Sequence, residues 1–161
     1  MKTIVIGLGN PILTDDGVGV KVTRRVEQTL SEEQRQKIRI AEASVGGLRL
    51  MEMMINYDRV ILIDAYMQHR SENPGTIHRM TLEDLREVSP IQHSGSTHDT
   101  TLVKALEAGE RMGAKLPEEF IIFAVEVEKI LEFGEEPTPP VAAAIPKVTE
   151  MVLDELNAFE S

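Results

Sequence analysis

The sequence has no cysteine, no long apolar run and a shortage of basic residues. The lack of cysteine excludes disulfides, thiolate metal sites and a cysteine nucleophile. Because no stretch of about 18 consecutive apolar residues occurs, neither a membrane-spanning helix nor a membrane partner is expected. The first residues run directly into a short apolar strand without the pattern of a secretory signal peptide, which favours a cytoplasmic protein.

The shortage of bases argues against a nucleic-acid partner. The chain of 161 residues carries 27 Asp and Glu against 17 Lys and Arg, a formal net charge of -10 at pH 7. A protein of this charge is a poor partner for a phosphate backbone. The length, with 42% hydrophobic and 27% charged residues, is typical of one globular domain, which we expect to span residues 1–161.

Apolar runs and amphipathic stripes alternate along the chain. Short apolar or alternating segments predict strands at residues 3–6, 38–41, 59–65, 75–80 and 119–127. Apolar spacing predicts helices over residues 18–30, after the glycines at 46–47, over residues 99–113, and from Thr138 onward, with Pro146 kinking or delaying the last one. The strand at 75–80 follows a turn signal and is expected to be a short antiparallel edge strand. The alternation predicts an α/β fold with a largely parallel sheet covered on both faces.

The stretch IVIGLGNPILTDDGVGV at residues 4–20 begins like a nucleotide-binding strand and glycine loop. The dinucleotide fingerprint requires a third glycine where this chain has Ile12, and Asp15 and Asp16 follow at the start of the predicted helix. Two acids at this position would repel a pyrophosphate, so nucleotide binding is not favoured. The simplest alternative is that Asp15 and Asp16 cap the helix and complement its macrodipole.

A third acid indicates a cation site instead. In open parallel sheets, functional residues lie at the carboxyl ends of the strands. Asp64 directly follows the apolar run VILI, so it is expected on the same side of the sheet as the loop that carries Asp16. His98, at the start of a predicted helix, can reach the same edge. Two carboxylates and one imidazole form a site suited to nickel, zinc, iron or manganese.

The other candidate residues carry weaker signals. Glu126 and Glu128 end a late strand at the same edge. His93 lies in the loop IQHSGSTHDTTL at a less constrained position, and His69 and His78 are expected to be solvated bystanders. The serines of that loop are not in a G-x-S-x-G elbow, and the zinc-protease signature H-E-x-x-H is absent, so neither chemistry is favoured.

Five motifs, in this order, resemble the hydrogenase maturation endopeptidases. They are GLGNPILTDDGVGV near the start, ILIDA with Asp64, PGT at residues 74–76, STHDTTLVKAL with His98, and AVEVEKILEFGEEPTPPV before the last helix. The first contains the pattern G-N-x-x-x-x-D-D/E-G-x-G and is the most specific of the five. The resemblance spans nearly the whole chain.

The resemblance implies an endopeptidase that removes a C-terminal extension from the precursor of a nickel-iron hydrogenase large subunit, its expected partner. It implies that Asp16, Asp64 and His98 form the catalytic and metal site. The metal would be nickel already inserted in the substrate, so that cleavage follows metal loading, and other divalent metals could occupy the site in vitro. The implied fold is a three-layer α/β/α sandwich around a twisted, mostly parallel five-stranded sheet.

One departure from the family and two alternatives to it follow from the same residues. Many members carry an aspartate in a DGGT-like turn after the second strand, whereas this chain reads EASVGGLRL, with Glu42 and Ser44 as candidate replacements. Peptidyl-tRNA hydrolases share the opening G-L-G-N-P, but here an acid pair follows and the first histidine is His69. A non-catalytic nickel-checkpoint module that binds the large subunit would keep the same three ligands. Whether nickel takes part in the chemistry or only positions the substrate is also left open.

Overall fold

The structure, a computed structural model, describes residues 1–67, 73–87, 96–128 and 132–158, with side chains described in these ranges except for residues 86–87 and 96–101. The strands are β1 (Thr3–Leu8), β2 (Ile38–Ala43), β3 (Arg59–Tyr66), β4 (Ile77–Thr81) and β5 (Glu119–Glu126). The helices are α1 (Val18–Thr29), α2 (Glu32–Lys37), α3 (Gly47–Met54), α4 (Leu82–Glu87), α5 (Ser96–Arg111) and α6 (Pro139–Ala158). A 3-10 turn (Thr14–Gly17) leads into α1.

Within the described ranges, the five strands form one sheet in the order β2-β1-β3-β5-β4. β2, β1, β3 and β5 pair in parallel, while β4 pairs antiparallel with β5 at the edge. All eight residues of β3 are buried, which explains the continuous apolar run in its sequence. The predicted mostly parallel five-stranded sheet is therefore confirmed, and so is the antiparallel edge strand.

The side chains of the strands point alternately into two cores, one on each face of the sheet. One core joins Ile61 and Phe123 to α1 and α6. The other joins Leu62 and Ile122 to α3 and α5. Because successive residues of a strand point to opposite faces, Asp64, two residues after Leu62, belongs to the face covered by α3 and α5. Helices thus cover both sides of the sheet, as predicted.

The longest helix in the described ranges, α6, packs by the stripe that the sequence predicts. Its buried positions include Val141, Ile145, Val148, Val152 and Leu156, whereas residue 159 of the predicted stripe lies outside the described residues. α6 begins directly after Thr138 and continues through Pro146, so this proline does not delay the helix. No helix in the described part of the chain combines the length and apolar character needed to cross a membrane.

Two helices and one boundary differ from the predictions. The predictions lack α2 and α4, helices of six residues each, and the polar residues of α2 form no apolar stripe. α2 instead begins with a capping box, in which the side chains of Ser31 and Gln34 each accept a hydrogen bond from the other's backbone N–H. α5 begins at Ser96, three residues before the predicted start, and so includes His98.

Candidate functional site

The loop between β1 and α1 is folded tightly on itself. Gly9 has φ +123°, and a Cβ placed there would lie 2.0 Å from the carbonyl oxygen of Asp16. A Cβ on Gly17 would lie 2.7 Å from Cα of Pro11. Gly17 and Gly9, the latter part of the nucleotide-like motif, are therefore required by the packing of the loop against itself.

This packing orients the carboxylate of Asp16. The backbone N–H of Asn10 donates to Oδ2 of Asp16 at 2.8 Å, and the N–H of Asp16 donates to the carbonyl of Leu13 at 2.9 Å. Asp16 is half-buried. A hydrogen bond from a backbone amide to a carboxylate is charge-assisted, so it holds the acid in one orientation without neutralising its charge.

Asp64 lies at the same edge of the sheet. It is 6% exposed, near the carboxyl end of β3, and its Oδ1 accepts a hydrogen bond from the N–H of Ala65 at 2.8 Å. Gly19 in the first turn of α1 packs so closely on β3 that a Cβ there would be 2.2 Å from the carbonyl oxygen of Ile63. The 3-10 turn that carries Asp16 also contacts β3. The tight β1–α1 connection thus places both acids at the carboxyl edge.

His98 lies in the first turn of α5, and the topology places that turn at the carboxyl edge. α5 packs on the face of the sheet to which Asp64 belongs. After α5 ends at Arg111, the chain soon starts β5 at Glu119, which pairs with Arg59, the first residue of β3. Because α5 ends near the amino edge, it begins at the opposite, carboxyl edge.

The predicted metal site is only partly within the described structure. The side chain of His98 lies outside the described side chains, and His69 and His93 lie outside the described residues. Among the side chains that are described, no group of three His, Asp or Glu is placed to hold a metal ion. The elements that carry Asp16, Asp64 and His98 meet at one edge, and their coordination of a metal stays a prediction.

Asp15 has a role that the sequence does not indicate. It is fully buried, and its carboxylate accepts hydrogen bonds from the N–H of Glu128 at 2.9 Å and from the N–H of Thr138 at 2.7 Å. The hydroxyl of Thr138 also donates to it. The N-cap position of α1 is Gly17, without a side-chain capping bond, so Asp15 does not cap that helix. Asp15 instead joins the loop to the start of α6.

His78 is not the solvated bystander that the sequence suggests. Its Nε2 lies 2.7 Å from Oε1 of the buried Glu126, and its ring centroid is 5.3 Å from that of Tyr66. His78 and Asp64 both pair with Ala124, so they occupy the same row across the sheet with one small residue between them. The sequence lacks a signal for this pair because β4 and β5 are far apart along the chain.

Glu42, a candidate replacement for the aspartate of the family's turn, also has a partner in the structure. Glu42, near the end of β2, forms a two-point ion pair with Arg24 of α1, with both N···O distances 2.9 Å. The hydrogen bond and charge of Glu42 raise the pKa of the Arg24 guanidinium. Ser44 is exposed at the same edge. Glu42 therefore joins β2 to α1, and neither residue has an assigned role toward a substrate.

Known proteins are similar to this chain in sequence and in fold. Residues 4–155 match the family model described as HycI, hydrogenase maturation protease. The chain is 30% identical over 157 residues to the hydrogenase 2 maturation protease of Escherichia coli strain K12, covering 98% of this chain and 92% of that protein. It is 28% identical over 165 residues to the coenzyme F420 hydrogenase subunit delta of Methanothermobacter thermautotrophicus, covering 97% and 95%. The solved structure of the hydrogenase maturating endopeptidase HybD from E. coli aligns with a TM-score of 0.76 at 28% identity, covering 98% and 93%.

Proposed function

The chain belongs to the hydrogenase maturation protease family, and from this premise we propose that it removes the C-terminal extension of a nickel-iron hydrogenase large-subunit precursor after nickel insertion. The observation that carries the proposal is the family match over residues 4–155. The position of Asp16 and Asp64 at the carboxyl edge, where α/β sheets hold their sites, supports it. Family membership sets aside the peptidyl-tRNA hydrolase alternative. The cytoplasm stays the predicted compartment.

We infer that the nickel of the precursor is engaged by Asp16, Asp64 and His98. Carboxylate and imidazole donors fit nickel, and the two acids accept hydrogen bonds from neighbouring backbone amides. Nickel bound there would polarise the scissile carbonyl or activate a water. The protein's own residues would orient the nickel-bearing segment of the precursor and hold the scissile peptide bond at the carboxyl edge of the sheet. The metal belongs to the substrate, so a precursor without nickel would lack part of its recognition signal.

In a second mechanism, nickel only positions the substrate, and a nearby carboxylate of the protein transfers the proton. Glu126, held by His78 at the same edge, is suitably placed for this role. Water would attack the scissile carbonyl carbon while its proton passes to Glu126, and the same proton would then be given to the leaving amine. Glu126→Gln separates the two mechanisms, because it removes the base and leaves all three predicted metal ligands in place.

The test of the proposed function compares two forms of one substrate. The purified protein is incubated with the cognate large-subunit precursor in nickel-loaded and nickel-free forms, and the C-terminus of each is followed by mass spectrometry. We expect the extension to be lost only from the nickel-loaded precursor. Cleavage of neither form would contradict proteolysis and favour the non-catalytic checkpoint module. Equal cleavage of both would leave proteolysis intact and remove the nickel requirement.

A further inference from the structure

One exposed apolar side chain lies in the loop that carries Asp16, and a second lies beside that loop. Phe133 is 84% exposed and Ile12 is 48% exposed. Leu13 and Gly134 form a parallel bridge, and the N–H of Gly134 donates to the carbonyl of Ile12 at 2.8 Å. Because Ile12 and Phe133 each precede one member of this bridge, they are neighbours on two hydrogen-bonded segments.

The segment that carries Phe133 is joined to the Asp16 loop by further bonds. The hydroxyl of Thr14 donates to the carbonyl of the residue before Phe133. The carboxylate of Asp15 accepts hydrogen bonds from the backbone N–H groups of Glu128 and Thr138, which precede and follow Phe133 in the chain. A partner bound to Phe133 would therefore be held at a set position relative to the candidate site, since the two segments are fixed to each other.

Most of the exposed large apolar side chains in the described ranges lie at the carboxyl edge of the sheet. In the described ranges, the large apolar side chains that are exposed are Met1, Ile12, Leu48, Met112 and Phe133. Leu48 lies in the first turn of α3, which follows β2, so it also lies at the carboxyl edge, as do Ile12 and Phe133. Single exposed apolar residues are normal on a protein surface, but two adjacent ones beside a candidate site indicate a contact surface.

We propose that Ile12 and Phe133 form a docking patch for the substrate protein, which binds a precursor segment that carries an apolar side chain flanked by Lys or Arg. The exposed acids Glu135 and Glu136 lie close to Phe133 along the chain, and they favour the opposite charge in a partner. A second copy of this chain fits poorly, because its own patch would bring acids against acids. The inference rests on the proposed function and specifies how the same site recognises its substrate.

The first test removes the aromatic ring. The dissociation constant and the steady-state KM and kcat are measured with the nickel-loaded precursor for the unaltered protein, Phe133→Ala and the control Met112→Ala. Met112 is 82% exposed just after the end of α5, at the opposite edge of the sheet. We expect Phe133→Ala to raise the dissociation constant and KM by about tenfold, the size of an interface hot spot, with kcat unchanged. Met112→Ala should change none of the three.

The second test removes the charge. The double variant Glu135→Gln/Glu136→Gln should bind the precursor more slowly and with a weaker dependence on salt, because attraction between opposite charges speeds association. Glu32→Gln/Glu33→Gln makes the same change in net charge on α2, away from the patch, and should keep the full salt dependence. Equal salt dependence in both double variants would contradict the proposal that the segment bound at the patch carries Lys or Arg.

The outcomes separate the docking patch from the proteolytic function. Cleavage by every variant with unchanged KM and dissociation constant would overturn the patch and leave the proposed function standing. Binding that depends on Phe133 without any cleavage would support the patch and overturn proteolysis. If Phe133→Ala changed only kcat, or turned a dimer of this chain into a monomer, the ring would have another role and the patch would be refuted.

Discussion

Arg59 at the amino edge of the sheet and the aspartates at the carboxyl edge are charged groups held by different kinds of partner. At the amino edge, the guanidinium of Arg59 is 1% exposed and donates to the carbonyl of Glu155 at 2.7 Å. The carboxylates of Glu155 and Glu119 lie within 4 Å of it. Burial lowers the pKa of Arg59, and both carboxylates oppose that shift. The buried charge at this edge is thus balanced by charges of opposite sign.

Three acids at the carboxyl edge accept hydrogen bonds from neutral donors. Backbone N–H groups bind the carboxylates of Asp15, Asp16 and Asp64. A hydrogen bond from an amide orients a carboxylate but leaves its negative charge in place. We therefore predict that the charge of Arg59 at the amino edge serves folding, whereas the charge of Asp16 at the carboxyl edge serves function. Four substitutions test this difference.

The largest effect is expected from Asp16→Asn. The change removes the negative charge and keeps an oxygen that can accept the hydrogen bond from Asn10. Precursor cleavage should fall by at least about 100-fold, since even outer residues of metal sites cost about 10–100-fold. The free energy of unfolding should stay within about 0.5 kcal/mol, as for a surface substitution. Both are measured against Asp58→Asn at the amino edge, and full activity of Asp16→Asn would remove this residue from the site.

Arg59→Met should lower the stability and leave cleavage unchanged, the reverse of what we expect for Asp16→Asn. Removing the buried guanidinium of Arg59 takes away its hydrogen bond to the carbonyl of Glu155 and its charge beside Glu119, so the free energy of unfolding should fall by about 2 kcal/mol. Cleavage per folded molecule should stay constant, because the change lies at the edge opposite the candidate site. Arg24→Met is the control, since it breaks an exposed pair with Glu42 and should cost less than about 1 kcal/mol. A loss of activity without a loss of stability would contradict the comparison.

Asp15→Ala is expected to affect both properties. Its carboxylate joins the Asp16 loop to Thr138, so the variant would leave buried N–H groups unbonded and cost about 2 kcal/mol. Cleavage should also fall, because the loop would lose its support. Thr138→Val removes the hydroxyl and keeps the N–H, and should cost about 1 kcal/mol. Chemical denaturation and the cleavage assay measure the two effects, and an unchanged stability would show that this contact does not hold the loop.

The smallest effect is a pH dependence at Asp58. The backbone N–H of Lys2 lowers the pKa of its carboxyl group, with a lesser contribution from Lys115. Because the folded-state pKa is the lower one, the stabilisation is present above the unfolded value of about 3.9 and is lost as the pH falls through the folded value. Asp58→Asn should therefore melt slightly below the unaltered protein at pH 7 and match it in strong acid. A difference that persisted in acid would point to another cause.

Much of the fold could be predicted because its signals are local. The alternation of apolar runs and stripes indicates strands and helices wherever one face or both are buried, as in β3 and α6. The polar helix α2 has no such stripe, and its only local signal is the pair Ser31 and Gln34. Asp16 and Asp64 could be placed at one edge because parallel strands all end on the same side.

The roles of Asp15 and His78 could not be predicted in this way. Asp15 and Asp16 are adjacent acids of the same type, and only the path of the folded loop turns one toward Thr138, 123 residues away. His78 contacts Glu126 because β4 pairs antiparallel with β5 in one particular register. A shift of one residue in that register would turn the histidine to the opposite face of the sheet.

The sequence by itself determined the order of strands and helices, the buried faces and the group of acids at the strand ends, since these follow from side-chain periodicity within short segments. Only the tertiary structure decided which acid is buried as a support, which carboxylate meets the histidine of β4, and that Phe133 lies beside Ile12. Those contacts join segments separated by many residues, and their geometry depends on strand order, register and loop closure acting together.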